Sequence, residues 1–146
     1  MKFLLAFTTL LAATVLLAWA AAGSPGVTFV DHDKVAAALA KGGSLVTASN
    51  LLVSGSHRTG PGQVEVHDKE TDVIYVVDGH ATFITGGTMI GGKDTKPGQH
   101  LGTSVEGGET HQLTKGDVIV VPAGTPHWFK DVPQSISYYV VKVLKQ

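Results

Sequence analysis

From residue 45 onward, apolar residues recur at every second position in short runs punctuated by glycine, proline and aspartate. That period belongs to strands, whose successive side chains face opposite ways. Residues 45–53 read as strand, 63–67 alternate cleanly, and 73–77 are β-branched and aromatic. Asp78 followed by Gly79 is a hairpin signal, with 81–85 as the return strand. Residues 117–121, stopped by Pro122, then 128–130 and 136–144, complete the set. Short strands at even spacing, with no helix between them, predict a sandwich or barrel. The valines and isoleucines of 73–77 and 118–121 supply much of its core, with Val76 and Val120 as buried positions.

One helix precedes the strands. Residues 31–43 begin with Asp31, run through alanines to Lys41, and stop at Gly42 and Gly43. Val35 and Leu39, one turn apart, give it a narrow apolar face suited to capping something larger. The chain divides into 1–22, an extension 23–44 carrying this helix, and a β-domain 45–146. Residues 1–22 place Lys2 before an apolar block and end in small residues at A-x-A spacing, the pattern of a cleaved secretory signal. The expected location is therefore exported, periplasmic or secreted, with no membrane association after cleavage. The rival reading is a retained membrane anchor.

Composition narrows the chemistry. A net charge of −1 and a pI near 6.6 leave no basic field for nucleic acid. The absence of cysteine excludes disulfides, thiolate catalysis and thiolate metal sites. Any metal must be held by the 7 histidines and the carboxylates. Eight of the glycines fall between 86 and 108, a stretch that is either a surface excursion or a lid over the barrel mouth.

Two clusters carry the candidate chemistry. In the first, Glu65 and His67 share a strand face, and Asp72 opens the next strand after a bend containing Lys69 and Glu70, which read as solvated. In the second, Pro122, Gly124 and Pro126 hold His127 at a strand start with little freedom. Two imidazoles and one or two carboxylates held by rigid turns make a site for a first-row divalent metal. His111 shares a face with Leu113; it is either a proton carrier inside the barrel or a rim histidine. His57 and Arg58 are either a clamp for a substrate carboxylate or exposed loop. His32, His80 and His100 read as solvated, and Asp117 as shaping its own turn. Trp128, Phe129, Tyr138 and Tyr139 read as core or wall, with one tyrosine lining a pocket.

These residues resemble the signatures of the cupin superfamily. The second signature, G-x5-P-x-G-x2-H, is complete as Gly116, Pro122, Gly124 and His127. The first is partly kept: counting back from Gly79, Asp72 takes the family's Glu slot, His67 the second His slot, and Glu65 the first His slot. The leading glycine falls at Thr59, so Gly60 or Gly62 replaces it by a shifted turn. The resemblance implies an all-β antiparallel jelly-roll barrel holding a metal through His67, Asp72 and His127. With Glu65 as a fourth ligand, the set suits Mn²⁺ or Fe²⁺, with Zn, Ni or Cu as alternatives. Without it, the remaining two His and one carboxylate have open positions suited to Fe(II) or O₂ chemistry; the rival reading is a cupin that has lost its metal, with Glu65 free to act as acid or base. Three functions are compatible with this: a metal-dependent enzyme on a small oxygenated molecule, a binding module for a small molecule or metal, or a barrel serving as a homodimer subunit. In the first, Glu65 or His111 moves the proton.

Overall fold

A computed structural model describes residues 26–145; the segment read as a signal, 1–22, lies outside them. Helix α1 (His32–Lys41) forms as expected. The Asp31 carboxylate accepts the Lys34 N–H at 3.1 Å, and Gly42, at φ 77°, closes the helix by donating its N–H to the Ala38 carbonyl. Val35 and Leu39 are only half-buried. The buried contact is Ala38, which rests on Gly55, where an added β-carbon would come within 2.8 Å of it.

The described chain then forms β1 (Gly43–Thr47), β2 (Leu51–Arg58), β3 (Val64–His67), β4 (Glu70–Thr85), β5 (Thr88–Ile90), β6 (Lys93–Lys96) and β7 (Gln99–Gly102). It continues with β8 (Ser104–Glu106), β9 (Glu109–Thr114), β10 (Val118–Val121), β11 (His127–Asp131) and β12 (Ile136–Leu144). Every pairing is antiparallel, and the fold is an all-β jelly roll. Its main sheet runs β1-β2-β12-β4-β11-β3-β7-β6.

The 16-residue β4 is the spine. Its first half pairs with β10 and β12, and its second half with β9 and β11. So the expected hairpin at Asp78 and Gly79 does not exist; the strand passes straight through. Gly79 instead takes φ 82° opposite Ile136, beside a bulge in β4 that leaves Val77 without a partner on β12, and bends β4 from one wall to the other. The opposite error occurs at 45–53, which is two strands. Ala48 donates its N–H to the Leu51 carbonyl at 2.8 Å and turns β1 into β2. As a result Arg58 lies on a strand, not in a loop.

The glycine-rich stretch is neither loose excursion nor simple lid. It folds as a β6–β7 hairpin and a β5–β8 ribbon, and β7 extends the β3 edge. The core gathers Ile74, Val76, Phe83, Leu113, Phe129 and Ile136. Val121 is buried with them, but Val118 and Val120 are not. In register with Tyr75 and Val73, they face outward, and Val120 is 54% exposed.

Candidate metal centre

Among the described residues, the buried polar or charged side chains are His67, Asp72 and His127. Burying such groups is costly unless they are partnered, so their convergence is informative. Glu65 and His67 come from β3, with Glu65 in register with His127 of β11. Across the bend, β4 opens with Glu70 and Asp72. The turn before His127 is latched to β3: Gly124, at φ 79°, donates its N–H to the His67 carbonyl at 2.7 Å, and Thr125 donates to the Pro122 carbonyl at 3.1 Å. The His67 and His127 rings end 5.2 Å apart, centroid to centroid.

The four residues singled out in the sequence therefore meet. His67 Nε2 lies 3.4 Å from Glu65 Oε2 and 3.6 Å from Asp72 Oδ2; His127 Nε2 lies 3.7 Å from the same Asp72 oxygen. Glu65, His67 and His127 each offer one ligand atom, all within 4.8 Å of one another. Glu70, His67 and Asp72 form a second such group. His127 Nδ1 donates to the Thr125 carbonyl at 3.1 Å, which leaves the Nε2 lone pair of the neutral ring facing the cluster. His67 Nε2 is buried and has no hydrogen-bond partner. An orphaned, buried imidazole nitrogen beside two carboxylates fits a cation between them.

The electrostatics agree with that donor set. Burial pushes His127 below the ordinary histidine value despite its hydrogen bond to Thr125, so the ring is held neutral. Burial acts to raise the Glu65 carboxyl. The neighbouring His67, His127 and Arg58 outweigh it and hold Glu65 below the ordinary glutamate value. Glu65 is thus kept as a carboxylate.

A cavity of about 150 Å³ opens beside the cluster. Glu65, Asp72 and His127 line it, with Ser56, Arg58, Gln63 and Lys142 as further polar groups and Ile74, Phe129, Tyr138 and Val140 as its walls. Of the two tyrosines, then, Tyr138 faces the pocket. Arg58 sits 4.8 Å above the Phe129 ring, donates through Nε to Tyr138 Oη at 2.9 Å, and reaches Glu65 Oε1 at 3.4 Å.

Several expected residues stay outside. His111 is opposite Phe83 on β9, with Nε2 at 2.8 Å from Thr85 Oγ1; it does not line the cavity. His57 faces away from Arg58 and contacts Ser137 Oγ at 2.8 Å. His100 is not free in solvent: it is held between Asp94 at 2.6 Å and Asp68 at 2.9 Å, and these contacts raise its pKa. Asp117 does shape its turn, accepting the Thr114 N–H at 2.8 Å. Glu70, expected to be solvated, is half-buried and receives Lys142 Nζ at 2.9 Å.

Sequence reasoning missed Lys142. The signal was present: Ile136, Tyr138 and Val140 alternate inward along β12, and position 142 continues that row with a lysine.

The sequence pattern of the cupin family matches residues 27–143. None of the curated proteins matches the chain. Among solved structures, a protein from Bacillus halodurans superposes with a TM-score of 0.52 at 17% identity, over 70% of this chain and 69% of that one. A cupin protein from Bacteroides fragilis gives 0.47 at 14% identity, over 66% and 68%. Peruvianin-I, a cysteine peptidase from Thevetia peruviana latex, gives 0.44 at 14% identity over 66% of this chain, which spans only 52% of its length. At these identities the likeness is one of fold alone. The family match over most of the chain decides the assignment: this protein belongs to the cupin family.

Proposed function

We propose that this chain is a metal-dependent enzyme acting on a small oxygenated molecule. The single observation that carries the reading is the buried His67 Nε2, unpartnered and facing Glu65 Oε2 and Asp72 Oδ2, with the neutral His127 Nε2 aimed at the same place. Glu65, His67 and His127 would hold a divalent ion, with Asp72 beside them. Two imidazoles and hard carboxylates favour Mn²⁺ or Fe²⁺. When bound, such an ion supplies Lewis acidity toward oxygen atoms of a substrate.

The remaining chemistry belongs to the chain's own side chains. A cavity of about 150 Å³ admits a molecule of benzene size. Ile74, Phe129 and Val140 give it apolar walls, while Ser56, Gln63 and Tyr138 offer hydrogen bonds that orient a small polar ligand. Arg58, fixed by Tyr138 Oη and the Phe129 ring, presents a positive charge at the same wall. Of the two groups read as proton carriers, His111 lies outside the cavity and Glu65, at the cavity, is committed to holding the ion, so neither is assigned the proton movement.

The test is metal content of the purified protein and of His67→Ala and His127→Ala, with folding followed by circular dichroism. Folded variants that lose the metal support the reading. Folded variants with unchanged metal content defeat it.

A further inference from the structure

Lys142 lies directly across from Asp72 in the β12–β4 ladder, on the inward face of both strands. Its Nζ is 2.9 Å from Asp72 Oδ1, 2.9 Å from Asp72 Oδ2 and 2.9 Å from Glu70 Oε2. An ammonium has three donors, and these contacts use all of them. Asp72 and Glu70 belong to the second group of candidate ligands, with His67. A cation already sits in that group, and it is part of the polypeptide.

The first group is held differently. Glu65 gives only Oε1 to Arg58, at 3.4 Å, and turns Oε2 toward His67. Asp72 has both oxygens engaged at a shorter distance, in a more buried setting. A metal ion can therefore recruit Glu65 without stripping a close partner from it. To recruit Asp72 it must compete with Lys142 for both carboxylate oxygens, and to recruit Glu70 for the oxygen that faces His67; displacing the ammonium would leave it in the barrel without an anion.

We propose that Lys142 is a built-in cation that reserves Asp72 and Glu70, so that a metal takes Glu65, His67 and His127 alone and keeps coordination positions open toward the cavity. Lys142 is on this account a positioning residue that fixes the ligand count. A three-residue set with open positions is what binding of a small substrate at the ion requires, whereas four protein ligands would close one of them. This inference rests on the metal-binding reading above.

The experiment titrates metal-free protein with Mn²⁺ and follows free Mn²⁺ by electron paramagnetic resonance. The proteins compared are wild type, Glu65→Gln, Asp72→Asn, Lys142→Met and the double variant K142M/D72N. Expected is a loss of affinity that is larger for Glu65→Gln than for Asp72→Asn, by about tenfold. Lys142→Met should bind roughly tenfold tighter, because Asp72 is released as a fourth ligand, and the double variant should give that gain back. If Asp72→Asn weakens wild-type binding as much as Glu65→Gln does, Asp72 already ligates and the inference is overturned. A folded Lys142→Met variant that binds no tighter overturns it as well. Should Lys142→Met not fold, the comparison of Asp72→Asn with Glu65→Gln decides alone. If wild type itself takes up no Mn²⁺, the metal-binding reading fails and carries this inference with it. Wild-type binding with the wrong order among the variants refutes only the role of Lys142.

Discussion

Gly79 faces Ser135 so closely that a β-carbon at position 79 would collide with the Ser135 carbonyl oxygen, and it does so at φ 82°. This one contact lets β4 bend while β12 stays paired to it from Leu144 back to Ile136. Gly79→Ala meets two penalties, a left-handed backbone and a backbone clash. It should lose about 2–3 kcal/mol of unfolding free energy. Urea denaturation checks this. A loss under about 0.5 kcal/mol would show that the bend does not depend on glycine.

Two valines of similar sequence context should respond in opposite ways to a charge. Val76 is 0% exposed and Val120 is 54% exposed. Val76→Asp buries an unpaired carboxylate and should cost several kcal/mol or abolish folding. Val120→Asp, on the outer face opposite Val73, should change stability by no more than about 0.5 kcal/mol. Denaturant midpoints of the two variants make the comparison directly.

The valine pair also marks how far alternation can be read. Period two located the strands, and β12 runs over the same residues, Ile136–Leu144, that the pattern marked. But period two cannot say which phase faces inward, and in β10 only Val121 of the expected core valines is fully buried. The turn chemistry was ambiguous for a physical reason. Asp78 and Gly79 suit a two-residue hairpin equally well as a bulge, and only the long-range pairing of β4 with β12 selects between them. Glu65, His67, Asp72 and His127 were legible because a tight turn and a fixed spacing announce them. Arg58 was legible only as one side of an open alternative, and Lys142 only as a continuation of the inward row of β12, because a lone basic residue on a strand has no fixed spacing to its partner. Their placement depends on partners distant in the chain: Arg58 is 80 residues from Tyr138, and Lys142 is 70 residues from Asp72.

Metal addition should stabilise the fold through linkage. At about one hundred times its dissociation constant, a divalent ion adds about 2.7 kcal/mol to the native state. For a domain of this size that raises Tm by roughly 10 °C. Thermal scans with Mn²⁺, and after chelation with EDTA, should show the shift appear and vanish. His127→Ala should abolish it. His111→Ala should leave it intact, since His111 is bound to Thr85 away from the cavity.

The same buried imidazole sets a pH dependence in the metal-free protein. Burial lowers the pKa of His127 in the folded state from its ordinary 6.5. The unfolded chain therefore binds the proton more readily, and stability must rise with pH across this range. The His127 contribution is complete above about pH 6.5 and is lost as pH falls from there through the lowered folded value. Glu65 and Glu70, both held below the ordinary 4.5, add a further loss only at more acidic pH. His100 acts with the opposite sign: Asp94 and Asp68 raise its pKa, so its contribution is full below 6.5 and fades as pH climbs through the raised value. Urea midpoints measured in EDTA should fall between pH 7 and pH 5 for wild type. They should fall less steeply for His127→Gln, which removes the titrating ring. His100→Asn should leave the acid slope unchanged and flatten the alkaline side instead. If His127→Gln kept the full acid slope, the buried ring at this position would not be the group that titrates.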